Sequence, residues 1–222
     1  MNVYDFDETV FTGDSEDHFF AYLEKKPGFR LVNWKYKCYN FLVNSKLMTK
    51  TKARQHQYAF LKRMENLEQT LEDYWDTQIK FMKPWYLKAK RDDDIIASAT
   101  PEFLMVPIMK RLRLKNLVAT DMDPKTGKIN GEFAAGPYKV DAYVKKFKLE
   151  DMDNFYSDSY VEMILPYTPS TRLSSMAMIR LPSGMNILRP IRKNNPFGFL
   201  LERRKEYAQN QSGPACDAER AR

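Results

Sequence analysis

With 222 residues the chain can bury one good hydrophobic core, or one core and a small accessory unit. A hydrophobic fraction of 43% with 14 Phe, 13 Tyr and 12 Met excludes general disorder, and no apolar run approaches the roughly 18–20 residues that span a bilayer. The net charge of +7 raises a polyanion partner, but much of the excess lies beyond Thr171 and ends in Arg203, Arg204, Lys205, Arg220 and Arg222, a basic tail from which no specific nucleic-acid partner is expected.

Met1 to Tyr4 run mostly apolar into Asp5-Phe6-Asp7-Glu8-Thr9. This predicts a buried strand with carboxylates at its carboxyl end, where open α/β sheets bind ligands. From about Ser15 to Lys90 the pattern becomes helical. Phe19, Phe20 and Leu23, then Leu31, Trp34, Cys38, Phe41 and Leu42, recur every three or four residues. These are expected as packing positions, the aromatics Trp34, Tyr36 and Tyr39 among them. Two further helical stretches follow over 51–65 and 67–87, with breaks at Pro27-Gly28 and Lys50-Thr51, and Pro84 bending or restarting the last. Asp92 to Asp94 form a turn before a second buried strand over 95–99. Thr100 is expected to cap the next helix and Pro101 to occupy its first turn. A third strand falls at 117–120. Asp123-Pro124 and Thr126-Gly127 then punctuate a hairpin returning through Ile129 to Phe133. A helix from Tyr138 to Lys148, a strand over 154–157 ending at Asp158, and a last strand over 176–181 complete the pattern. Strands alternating with helices indicate an α/β fold with a parallel sheet covered on both faces. The division is a core of 1–13 and 91–200, a helical insert of 14–90, and a basic tail of 201–222 expected to be disordered.

The chemistry concentrates at strand ends. The Asp5 carboxylate can attack phosphorus and split one displacement into two, while Asp7 gives and takes the proton. A carboxylate about 4 Å from a phosphate charge meets repulsion of roughly 4 kcal/mol at an effective dielectric of about 20, so a cation is required. A hard divalent ion such as magnesium, held by carboxylates, phosphate oxygens and water, answers that need, with Asp158 as a further oxygen donor and Glu162 on a bound water. Ser98 and nearby amides at a helix start can hold phosphoryl oxygens, and Lys139 can neutralise both phosphate and Asp5. Each residue also has an ordinary reading. Asp-x-Asp pairs are commonly turns or caps, and a Ser before a helix is commonly a cap. A lone Lys is commonly a solvated face. Asp121/Asp123 and Asp151/Asp153 are read as loop residues, and His18 and His56 as helical surface or packing residues.

Taken together and in order, these segments resemble the haloacid dehalogenase superfamily, in its branch similar to phosphoserine phosphatase. Val3 to Val10 resembles the first motif, apolar residues followed by Asp-x-Asp-x-Thr. Ile95-Ile96-Ala97-Ser98-Ala99 resembles the second, Lys139 stands at the third, and Tyr156 to Glu162 resembles the fourth. The resemblance covers roughly residues 1–190. It implies a Rossmann-like core, a helical cap over about 14–90 inserted after the first motif, and bound Mg2+. It further implies that Asp5 is phosphorylated, that Asp7 is the acid and base, and that Asp5, Asp7, Asp158 and Glu162 surround the metal. Glu162 replaces the family's more usual Asp and reaches one methylene further, and Glu8 stands where a small residue is common. The branch also implies a substrate pocket: Asp14 at the position of an amine-binding acid, Arg54 for a carboxylate, and Ser98 with Ala99 beside the phosphoryl group. Asp14 serves equally well as the cap of the first insert helix.

The function expected is thus a magnesium-dependent phosphomonoester phosphatase acting on a small phosphorylated metabolite, phosphoserine-like substrates included. The alternatives are a phosphotransferase to an alcohol, or a non-catalytic binding module tethered by the tail. Two cysteines, Cys38 and Cys216, give no disulfide framework, and no apolar h-region of signal-peptide length precedes the acid at Asp5, so a cytoplasmic location is expected. Oligomeric state stays open.

Overall fold

The computed structural model describes residues 1–131, 133–135, 137–148, 151–158, 176–180 and 186–190. The expected tail and Glu162 lie outside these residues. Six described strands form one sheet, in the order β3-β2-β1-β4-β6-β5. They are β1 (Asn2–Asp5), β2 (Ile95–Pro101), β3 (Asn116–Thr120), β4 (Asn154–Ser157), β5 (Met176–Arg180) and β6 (Asn186–Pro190). The first four in that order are parallel, so the α/β core with a parallel sheet and helices is as the sequence indicated. The last two were foreseen only in part. β6 pairs β4 antiparallel and β5 pairs β6 antiparallel. Five residues separate β5 from β6, too few for the crossover a parallel pair needs.

Alternation along the strands builds two cores. Val3, Ile95, Ala97 and Val118 face Tyr143 of α7 (Pro137–Lys146) and Met152. Tyr4 and Ile96 face the other way, with Leu104, Met105 and Ile108 of α6 (Glu102–Leu112). Burial on both faces explains why β2 opens on the unbroken apolar run Ile95-Ile96-Ala97.

Five helices lie between β1 and β2: α1 (Ser15–Glu24), α2 (Val32–Asn44), α3 (Lys50–Gln57), α4 (Leu67–Gln78) and α5 (Pro84–Ala89). The two long stretches expected at 51–65 and 67–87 are broken into shorter pieces. Tyr58–Arg63 continues α3 as a tighter 3-10 turn, and Ile79–Phe81 does the same after α4. Pro84 restarts the chain as the first residue of α5, where its missing N–H leaves no bond unmade. The insert enters and leaves through a narrow neck. Phe11 bridges Met82, Thr12 N–H donates to the Phe81 carbonyl at 2.9 Å, and Lys83 N–H to Val10 at 2.8 Å.

The insert shares its core with the sheet face that carries α6. Trp75 of α4 is fully buried, meets Phe6 and Phe11 edge-on at 5.8 Å, and donates its indole N–H to the Leu104 carbonyl at 2.6 Å. Each large apolar side chain buried here contributes roughly 1.5–3 kcal/mol. Arg111 of α6 adds an ion-paired strap to Glu72 and Asp76 of α4.

Two expectations are corrected. Leu31, Trp34 and Phe41 are 66%, 61% and 67% exposed, and α2 instead buries Val32, Asn33 and Tyr36. Helical spacing marks a stripe but cannot say which of two apolar stripes faces the core. Tyr36 stacks on Phe20 and Tyr39 on His56, so of the three aromatics only Trp34 stands apart from the packing. Thr100 does not cap α6: β2 continues through Pro101, which sits at the cap position without a side-chain bond. His18 behaves as expected, packed between Phe11 and Phe81 and bonded to Gln78.

Candidate functional site

Asp5 is the last residue of β1, and its carboxylate is held from three directions. Phe6 N–H reaches Oδ1 at 2.8 Å, Lys139 Nζ reaches the same oxygen at 2.9 Å, and Ser157 Oγ reaches Oδ2 at 3.3 Å. The Asp5 and Lys139 side chains are only 9% and 7% exposed. Lys139 arrives from the first turn of α7, which packs on β2 and β3. Parallel pairing of Tyr4 with Tyr156 carries Ser157 alongside Asp5. The result is a carboxylate ion-paired with an ammonium and positioned on both oxygens inside the protein.

Beyond Asp5 the backbone makes one wide turn, closed by Phe11 N–H on the Phe6 carbonyl at 3.0 Å. Inside it Asp7 is extended and Glu8 is left-handed at φ 55°, a conformation that costs a side-chain-bearing residue about 1–2 kcal/mol. The Glu8 carbonyl accepts from Lys83 Nζ of the neck, and its N–H bonds the Gly13 carbonyl at 3.2 Å. This turn brings the Asp7 carboxyl back over the sheet end while Glu8 stays exposed.

Asp7 accepts from Ser15 N–H at 2.6 Å, Thr100 Oγ1 at 3.1 Å and Ser98 Oγ at 3.4 Å. Burial pushes its carboxyl up to about 6, helped by the negative charge of Asp14 and opposed by the Ser15 and Thr100 bonds. A carboxyl so placed exchanges protons near neutrality, as a general acid and base must. Ser98 is wholly buried, and its hydroxyl also accepts from Thr100 N–H at 3.1 Å. Asp158 follows Ser157, is exposed, and is tied to the Asp7 turn by Thr9. The Thr9 hydroxyl donates to Asp158 Oδ1 at 3.2 Å and accepts from Asp158 N–H at 2.9 Å.

A second ring of charge surrounds Asp7 on the insert side. Asp14 caps α1 through Asp17 N–H at 2.9 Å, and burial raises its pKa. Glu16 is buried and pairs with Arg54 at 2.8 Å, while Tyr58 donates to its other oxygen at 2.8 Å. Burial pushes Glu16 up to about 7 against the downward pull of Arg54, with Asp14 adding to the rise. The Arg54 guanidinium lies over Tyr36 and over Phe133, a residue from beyond β3. Ile129 N–H donates to Gln55 Oε1 at 3.2 Å nearby, so the Met122–Ile129 hairpin is docked on α3.

Asp5, Asp7, Ser98, Lys139 and Asp158 thus lie toward one end of the sheet, with Asp5 bonded to Lys139, Asp7 to Ser98, and Asp158 to the Asp7 turn through Thr9. Ala99 is beside them, its carbonyl accepting from Thr120 Oγ1 at 2.5 Å. Arg54 does not join them and is engaged by Glu16. Sequence reasoning missed Thr100, Ser15 and Ser157 as partners of the two carboxylates. Ser157 had a signal, its place between a strand and Asp158, whereas Thr100 was assigned to a cap. For a cation, the donor chemistry fits: Asp5 and Asp158 offer hard carboxylate oxygens, and magnesium uses few protein ligands and keeps water. Among the described residues no group of three or more His, Cys, Asp or Glu is placed to hold a metal. The fourth expected carboxylate, Glu162, lies outside them.

Compared with known proteins, the chain matches the model of the haloacid dehalogenase-like hydrolases over residues 3–161. No curated protein matches it. Among similar solved structures is a protein of unknown function from Bordetella pertussis Tohama I, with a TM-score of 0.58 and 20% identity, covering 70% of this chain and 79% of that one. Another is a phosphoserine phosphohydrolase-like protein from Francisella tularensis subsp. tularensis SCHU S4, with a TM-score of 0.47 and 16% identity over 74% and 81% of the two chains. At such identities the likeness is one of fold.

Proposed function

We propose that this chain, which belongs to the haloacid dehalogenase-like hydrolases, is a phosphatase for small phosphomonoesters that works through a phosphorylated Asp5. The observation that carries the reading is the pair of carboxylates at the end of β1, held in two different ways. Asp5 is ion-paired with the Lys139 ammonium at 2.9 Å, while Asp7 is raised to about 6 and so is ready to carry a proton.

In the first step an Asp5 oxygen bonds to phosphorus as the ester P–O bond breaks, and the leaving oxygen takes a proton from Asp7. In the second, water gives its proton to Asp7 and attacks phosphorus. The Asp5–phosphorus bond breaks, the Asp5 carboxylate is regenerated and inorganic phosphate is released. Lys139 offsets the charge that gathers on Asp5 and the phosphoryl oxygens. Ser98, Thr100 and the Ser15 amide orient Asp7. Mg2+ held by Asp5, Asp158 and the Asp7 turn, with Glu162 on a bound water as the sequence resemblance implies, would supply further neutralisation of the phosphoryl oxygens. We assign residues 14–90 as the cap that shields this chemistry from water, with Asp14 on its substrate side and Arg54 engaged by Glu16. A phosphoserine-like ester is among the substrates this arrangement suits.

The test is phosphate release from a panel of small phosphomonoesters, phosphoserine included, with magnesium or with chelator. Release should need magnesium and vanish in Asp5→Asn. Undiminished turnover by Asp5→Asn would rule out the covalent route, and loss of the signal to an added alcohol acceptor would mark a transferase instead.

A further inference from the structure

Between Glu24 and Glu65 the chain carries eleven Lys and Arg and no Asp or Glu. The helices of that stretch are α2 and α3. Arg54 and Lys26 are committed to Glu16 and Asp73. Lys35, Lys37, Lys46, Lys50 and Lys52 stand exposed.

The apolar residues of the same stretch are distributed unusually. α2 turns Val32, Asn33 and Tyr36 inward, against α1 and α3. On its opposite side Leu31, Trp34 and Phe41 form a stripe by helical spacing, with half-buried Cys38 between them. Leu47 extends the stripe just past the helix and is 73% exposed. Other exposed large apolar side chains in the described part reach only 46%. Lys35 and Lys37 border the stripe on its two flanks.

We propose that this outer face of α2, with the turn to α3, is a docking surface for an anionic lipid bilayer. Leu31, Trp34, Phe41 and Leu47 would enter the boundary between headgroups and acyl chains, and the flanking lysines would pair with lipid phosphates. An amphipathic helix with an aromatic and aliphatic face between basic flanks is suited to lie in that plane. The charge selects this occupant over the others. A second copy would bring the same basic face against itself, with lysine opposite lysine. A nucleic acid would draw on the lysines but leave Leu31 and Leu47 in water. No described helix is long and apolar enough to cross a membrane, so the contact would be peripheral. The inference is independent of the proposed chemistry.

The test is sedimentation of the full chain with vesicles of phosphatidylcholine alone or mixed with phosphatidylglycerol, at several salt concentrations. Two variants accompany it: Trp34→Ser with Phe41→Ser, and Lys35→Glu with Lys37→Glu. Native protein should bind only the anionic vesicles, lose binding as salt rises, and shift its tryptophan emission to the blue. The serine pair should abolish binding. The glutamate pair should weaken it more than tenfold, because each basic residue at an anionic surface contributes roughly fivefold. Urea unfolding checks that each variant is folded. If the serine pair is not, the glutamate pair decides. Absence of native binding, equal binding to neutral vesicles, or full binding by the folded variants would each overturn the proposal. So would self-association lost in the serine pair without vesicle binding, or RNA binding in place of vesicle binding.

Discussion

Replacing Lys139 with Met removes the cation from a buried pair and leaves the Asp5 charge behind. Losing one partner of such a pair generally costs about 3–5 kcal/mol. Phe6 N–H at 2.8 Å and Ser157 Oγ at 3.3 Å still bond Asp5, which points to the lower end, about 3 kcal/mol. For a chain of 222 residues that is a fall in Tm of roughly 6–12 °C. The assay is urea unfolding at pH 8 of the native chain, Lys139→Met, Asp5→Asn and the double variant. Neutralising Asp5 should relieve the penalty, so the two changes should fail to add, with a coupling of about 2 kcal/mol. A cost under about 1 kcal/mol at unchanged m, or strict additivity, would refute the pairing as a structural force.

Three further outcomes follow from the geometry. Asp7 at about 6 and Glu16 at about 7 both exceed their ordinary values of 3.8 and 4.5. The stability they contribute is full below those ordinary values and declines as pH rises through 6 and 7, so urea midpoints in chelator should fall across that window. Glu16→Gln should flatten the upper part, and an unchanged slope in that variant would contradict the assignment. Gly127→Ala should cost about 2 kcal/mol, more than Gly28→Ala, since both have positive φ but only the former sets a Cβ 2.6 Å from the Tyr58 carbonyl oxygen. Equal thermal shifts would mean that the hairpin is not wedged against the insert. Thr9→Val deletes the hydroxyl that ties Asp158 to the Asp7 turn, and should raise the magnesium needed for half-maximal phosphate release by about tenfold. An unchanged requirement would remove Asp158 from the metal's supporting set.

The core was legible because its signals are local. An apolar run that ends in Asp5-x-Asp7, a strand ending at Ser98, and a strand ending before Asp158 each mark a strand and its carboxyl end within a few residues. Lys139 could be placed at the start of its helix, and its arrival 2.9 Å from Asp5 is what the sheet order adds. Thr100 was lost to a local rule: a Thr before Pro resembles a cap, yet pairing with β3 draws β2 on through Pro101 and turns the hydroxyl toward Asp7. Arg54 illustrates the converse. It lies on α3, and its partner Glu16 lies 38 residues earlier, on α1.

What the sequence determined by itself is the order of strands and helices as far as β4, the motifs at the strand ends and the family to which they belong, because period-two and period-three-to-four patterns and short motifs are properties of neighbouring residues. The tertiary structure alone decided which face of α2 is buried, how β5 and β6 join the sheet, and which side chains hold Asp5 and Asp7. Those outcomes depend on contacts between segments far apart in the chain, where burial and pairing free energies outweigh any local preference.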